Sequence, residues 1–114
     1  MTREELALIL HIQEAIQGIS HHLQDCPDYG SYVQGQTIKR AVEREFEIIG
    51  EALSRLNKLN SDIEISSKRR IIDFRNLLIP GYDGIDDVQV WAVIQNNLPL
   101  LKKEIDALLP PEVD

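Results

Sequence analysis

A chain of 114 residues suits one domain, and its mix of 43% hydrophobic and 27% charged residues is that of an ordinary globular protein. Its net charge of −7 excludes broad, non-specific binding to a phosphate backbone, though it leaves room for a local basic cleft. A lone cysteine, Cys26, excludes an internal disulfide, and no apolar run approaches the ~20 residues of a membrane span.

The start, MTREEL, has neither a basic n-region nor an apolar h-region, so no signal peptide is expected. These features together lead us to expect a cytoplasmic protein with a single domain over residues 1–114.

Thr2 and Glu5 have the spacing of a capping box. Ile9, Ile12, Ile16, Ile19 and Leu23 then recur in steps of three and four, which predicts one face of a first helix. The stretch DCPDYGSY, with Pro27 and Gly30, reads as a loop. A second helix follows Thr37, with Ile38, Val42, Phe46, Ile49, Leu53 and Leu56 as its stripe. On it, Glu51 and Arg55 have the spacing of a favourable i,i+4 pair.

A third, shorter helix is expected after Ser66 or Ser67, either of which can cap it. Ile71, Phe74 and Leu78 form one edge of its stripe, with Ile72 and Ile79 on the other. Pro80-Gly81 stops it, because proline disfavours the helical conformation at Ile79. Asp86 or Asp87 can cap a fourth helix, striped by Trp91, Ile94, Leu98, Leu101, Ile105 and Leu108. Pro99 falls inside that stripe and predicts a kink.

No segment alternates with period two for long enough to form a strand. The expected fold is all-α, an antiparallel four-helix bundle with a kinked fourth helix. Leu8, Ile48 and Val93 fall outside the stripes, which suggests a second apolar surface and a homodimer.

Two basic clusters stand out: Lys39-Arg40 with Arg44, and Lys68-Arg69-Arg70 with Arg75. Each alone is most simply a solvated face. Arg75 is different, because it lies four residues after Ile71 and so borders the apolar stripe. It needs a partner there. The plain reading is an ion pair with Glu43 or Glu47.

His11, His21 and His22 are the only histidines. His11 lies close to the first stripe and reads as a core histidine, while His21 and His22 fall in that helix's last turn, where a cation is favoured. No ligand spacing predicts a metal site, and no cofactor is expected.

The segments TIKRAVEREFEIIGEAL, RRIIDFRNLLIPGYDGIDDVQVW and LPLLKKEI together resemble the HepT branch of the HEPN superfamily. The most specific part is Arg-Asn, apolar residues, then Gly-Tyr-Asp, Ile-Asp and a Val-Trp pair. The resemblance implies a small helical bundle that dimerises and acts as a toxin ribonuclease on RNA. It also implies a partner, a minimal nucleotidyltransferase antitoxin that attaches AMP to a tyrosine. The family motif is an arginine, four residues, a histidine, one residue and a tyrosine.

Placed on this chain, the resemblance implies Arg75 as the catalytic arginine, Asn76 as the polar residue beside it and Tyr82 as the AMP acceptor. The histidine position is Pro80, a departure at the residue most needed for chemistry. An alternative of another class follows from that departure: a non-catalytic dimeric helical module that binds the nucleotidyltransferase. The plain reading of Tyr82 is a loop tyrosine packed beside Trp91.

Overall fold

The computed structural model describes residues 1–77 and 87–110, apart from the side chains of residues 75–77. Among these residues the chain forms six helices and no strand: α1 (Arg3–His22), α2 (Tyr29–Gln34), α3 (Gln36–Leu59), α4 (Lys68–Leu77), α5 (Asp87–Asn96) and α6 (Leu98–Leu108).

The capping box forms as its spacing predicts. The Glu5 amide donates to the Thr2 hydroxyl at 3.1 Å, and the Thr2 amide donates to the Glu5 carboxylate at 2.8 Å. Ile9, Ile12, Ile16 and Ile19 are buried on α1, as are Val42, Phe46, Ile49, Leu53 and Leu56 on α3. The helix after the first loop begins at Gln36, one residue before Thr37, and has no side-chain cap.

Pairings along facing helices run in opposite directions. Gly18 of α1 faces Glu45 of α3, while Leu8 shares a groove with Ala52 and Arg55. Lys68 of α4 reaches Asn57 of α3, while Phe74 meets Phe46. Gln13 of α1 bonds Asp106 of α6, while Ile19 and Leu23 share a groove with Leu98 and Lys102. Hence α1 with α3, α3 with α4, and α1 with α6 are antiparallel pairs. The core lies between them.

Three expectations are corrected. First, DCPDYGSY is not all loop. Asp28 caps α2 by accepting the Ser31 amide at 2.8 Å, and Tyr32 of that helix is fully buried. Its ring lies 5.5 Å from that of Trp91. A six-residue helix containing Gly30 and Ser31 has little propensity of its own; the cap and the Tyr32 anchor hold it.

Second, the fourth helix is not one kinked rod. It breaks at Asn97 into α5 and α6, which leaves Pro99 in the first turn of α6. There its missing N–H has no intrahelical bond to lose.

Third, Leu8 and Val93 do not form a second apolar surface. Leu8 is 6% exposed and Val93 is 0% exposed within the single chain, and Ile48 is half-buried. The argument for a homodimer from these off-stripe residues therefore loses two of its three members.

Among the described residues, no helix is long and apolar enough to cross a membrane.

Candidate functional site

Of the motif residues singled out by the sequence, two fall on a described helix. Arg75 and Asn76 lie in the last turn of α4, and their side chains are outside the described residues. Pro80 and Tyr82 lie outside the described residues altogether, as do Leu78, Ile79 and Asp86. What the structure does describe is the ground on either side of that segment.

On the α4 side, the helix starts directly after Ser67. The Ser67 carbonyl accepts the Ile71 amide at 3.0 Å, and its buried hydroxyl accepts from the Asn97 amide group at 3.3 Å. The Ser66 amide and hydroxyl both donate to the Glu104 carboxylate, at 3.1 and 3.0 Å. These bonds tie the start of α4 to α6 and to the α5–α6 break. Ile71 and Phe74 then anchor the helix, with Phe74 edge-on to Phe46 at a ring separation of 5.4 Å.

The basic run at the start of α4 divides. The Lys68 ammonium is half-buried and donates to the Asn57 side chain at 2.8 Å and to the Ile63 carbonyl at 3.2 Å. Arg69 and Arg70 are exposed, and neither has an ion-pair partner among the described residues. Both help to line an open cavity of about 700 Å³, together with Ser66, Asp73, Phe74 and Gln89.

On the α5 side, the first residue after the undescribed segment is fixed. Asp87 pairs with Lys39 of α3 at 2.8 Å, and both are half-buried. Glu43 stands in the same environment. Burial pushes its carboxyl above the usual range, and the Asp87 charge adds to that, against the opposing pull of Lys39. The Tyr32 phenol is pushed up as well, by burial first and then by Glu43 and Asp87. Its hydroxyl is buried with no hydrogen-bond partner among the described residues.

The expected partners of Arg75 are partly engaged: Glu47 accepts from Arg44 at 3.3 Å. The Glu51–Arg55 pair expected on α3 does not form an ion pair, and both residues line a groove between α1 and α3. That groove also holds His11, which is exposed rather than a core histidine. His11 belongs to the edge of the α1 stripe, and that edge faces solvent. His22, in the last turn of α1, lies 3.5 Å from Glu45.

No group of three or more metal-ligating side chains occurs among the described residues. Cys26 is buried, and burial pushes its thiol up, away from the thiolate that a nucleophile requires.

Sequence reasoning noted Arg69 and Arg70 as part of a charge run but missed the cavity around them. The signal available was Phe74, four residues after Arg70 and so on the same side of the helix. Nothing in the sequence tied Gln89 to it.

The family described as "Ribonuclease HepT-like" matches residues 12–108. Relatives from Methanocaldococcus jannaschii include the protein named "Putative RNase MJ1380", 30% identical over 91% of this chain and 95% of its own length. A second from that organism, "Putative RNase MJ0125", is 30% identical over 94% of this chain and 92% of its own length. "Putative RNase TTE0752" of Caldanaerobacter subterraneus is 30% identical over 82% of this chain and 93% of its own length. No solved structure gives a significant match.

Proposed function

The chain belongs to the HepT-like ribonuclease family, and from that membership we propose that it descends from toxin ribonucleases that cut RNA without a metal. In this reading it works in the cytoplasm as a homodimer beside a minimal nucleotidyltransferase antitoxin. The antitoxin silences it by attaching AMP to Tyr82. The single observation that carries the reading is the family match across residues 12–108; Arg75, Asn76 and Tyr82, assigned from the resemblance, lie within that span.

The chemistry assigns each residue a task. Metal-independent RNA cleavage needs a proton removed from the 2′-hydroxyl and a proton given to the leaving 5′-oxygen. Imidazole can do both near neutral pH. A guanidinium at Arg75 supplies a fixed positive charge to the phosphate as negative charge builds in the transition state. Asn76 offers a neutral donor beside it. Pro80 stands at the histidine position and has no titratable group.

Loss of a general acid–base costs ~10²–10⁴-fold in rate. No histidine elsewhere takes its place in this reading, because all three lie on α1. The chain as written is therefore an impaired nuclease that keeps the phosphate-facing residues and the acceptor tyrosine.

Pro80 also favours a second reading, in which the chain is a non-catalytic dimeric module that binds the nucleotidyltransferase. Cleavage of purified tRNA and total RNA in the presence of a chelator separates the two. The chain is compared with its Pro80→His variant, with sizing and circular dichroism as controls. Cutting by the variant alone supports the ribonuclease reading. Cutting by both means that the histidine position does not have the role given to it here. If neither cuts while both fold and dimerise, the module reading replaces the first.

The modification is tested separately, by mass spectrometry after co-expression with the nucleotidyltransferase. An added AMP on this chain that is lost in Tyr82→Phe is the expected result. AMP retained in Tyr82→Phe would move the acceptor elsewhere.

A further inference from the structure

We propose that the cavity at the start of α4 is a nucleotide subsite for single-stranded RNA, with Arg69 and Arg70 as its phosphate ligands. The inference rests on the ribonuclease reading for the class of ligand. It goes beyond that reading in assigning a binding site to residues outside the Arg75–Tyr82 motif.

The first argument is charge. The chain carries −7 overall, and its other described basic residues include several that are engaged. Lys39 pairs with Asp87, Arg44 with Glu47, Lys102 with Asp106, and Lys68 is drawn onto α3 and the loop before α4. Arg69 and Arg70 are adjacent and exposed, and no carboxylate among the described residues pairs with them. Asp73 is one turn further on from Arg69, a spacing at which an ion pair can form, yet the two do not pair.

The second argument is that helix stability does not explain these residues. The first turn of a helix favours negative charge and disfavours cations. The first turn of α4 has no acidic residue and carries Lys68, Arg69 and Arg70 instead. Two guanidiniums there cost stability rather than add it.

The third argument is shape. A cavity of about 700 Å³ falls within the roughly 300–1,000 Å³ of small-molecule sites. A volume of this size can take a single nucleotide. Phe74 supplies an apolar wall. Its ring is buried and edge-on to Phe46, so it offers the cavity an apolar edge rather than a stacking face.

Gln89 and Asp73 add polar side chains to the lining, while Ser66 is already bonded to Glu104. Asp73 opposes a phosphate but accepts hydrogen bonds from the N–H groups on a base edge. Phe74 is followed directly by Arg75 in the chain, so the subsite adjoins the helix turn that bears the proposed catalytic arginine.

The test is equilibrium binding, which requires no cleavage. A fluorescently labelled single-stranded RNA oligonucleotide is titrated with the full chain and with Arg69→Ala/Arg70→Ala, at several salt concentrations. Arg3→Ala/Arg55→Ala, with the same loss of charge away from the cavity, is the control. Thermal unfolding confirms that all three fold.

The expected result is at least about tenfold weaker binding by the cavity variant. Its salt dependence should also be shallower by up to about 1.4 in log–log slope, at ~0.7 for each phosphate of a single strand that is no longer neutralised. The control should bind as the unsubstituted chain does. Equal weakening by both double variants would mean net charge alone, and would overturn the subsite. Unchanged binding by the cavity variant would overturn it too, while leaving the ribonuclease reading intact. Binding that depends on the cavity, in a chain whose Pro80→His variant does not cleave, would sustain the subsite and sink the ribonuclease reading.

Discussion

The two basic clusters look alike in sequence and behave differently in the structure. Lys39, Arg40 and Arg44 lie on α3, where Lys39 is held by Asp87 and Arg44 by Glu47. Lys68, Arg69 and Arg70 open α4, where only the lysine is tied down among the described residues. Through Lys39 the first cluster fastens α5 to α3 at the residue where the described chain resumes, while the Arg44–Glu47 pair stays within α3. The second turns two guanidiniums toward a cavity. A run of basic residues therefore says little until each member's partners are known: the same residue types can act as a clasp or as a ligand site.

The largest effect on this contrast should come from the ground beneath the second cluster. Phe74→Ala removes a nearly buried ring and its edge-on packing with Phe46. A cost of about 3–5 kcal/mol is expected, read as a lower urea midpoint. Since α4 is anchored by Phe74 and Ile71, the variant should lose RNA binding as well. Retained full stability would mean that α4 is fixed by its bonds to α6 and not by its apolar edge.

Next is the clasp. Lys39→Ala leaves Asp87 half-buried without its cation and facing Glu43. About 1–2 kcal/mol of stability should be lost, with a smaller loss for the exposed Arg40→Ala. Equal losses would erase the distinction between a paired and a solvated member of the cluster. Lys68→Ala should cost about 1 kcal/mol through the lost bonds to Asn57 and the Ile63 carbonyl. Arg69→Ala and Arg70→Ala should change the midpoint by less than about 0.5 kcal/mol. A stability loss from either arginine as large as that from Lys68 would make it structural.

Much of this fold was legible in the sequence because its helices are long and strongly striped. Most of the apolar steps predicted for α1 and α3 are buried, with Leu23 and Ile38 half-buried at their ends, and the capping box at Thr2 is local chemistry that needs no tertiary context. What failed was non-local. The short α2 depends on burying Tyr32 beside Trp91, two rings that lie far apart along the chain. The surplus apolar residues Leu8 and Val93 looked like an interface because a stripe count cannot show that packing within the single chain buries them. Solvation of His11 turned on the same question. For the candidate site, the sequence supplied the Arg75, Asn76, Pro80 and Tyr82 positions through the resemblance alone. The cavity at the start of α4 needed α4 and α5 to be placed together, since Gln89 and Phe74 share no sequence signal.

The smallest effect, and the one whose sign is least intuitive, concerns Glu43 beside the clasp. Its carboxyl is raised by burial first, then by Asp87 and Glu47, against Lys39 and Arg40. A carboxyl raised in the folded state holds its proton more tightly there than in the unfolded chain. Folding stability therefore falls as pH rises from the ordinary value of 4.5 through the raised one. Glu5, Asp28 and Asp106 have the opposite sign. The hydrogen bonds they accept lower them, so their contribution is full above the ordinary carboxylate range and is lost as pH falls through their depressed values. Glu43→Gln removes the first slope and leaves the second. The variant and the unsubstituted chain should have the same urea midpoint near pH 4 and separate as pH rises to 7, with the variant the more stable. The gain should stay below about 1 kcal/mol, because Glu43 is only half-buried and solvent screens its charge. A variant less stable at pH 7 than the unsubstituted chain would mean that Lys39 and Arg40 outweigh burial. The charge at Glu43 would then be part of the clasp rather than a strain upon it.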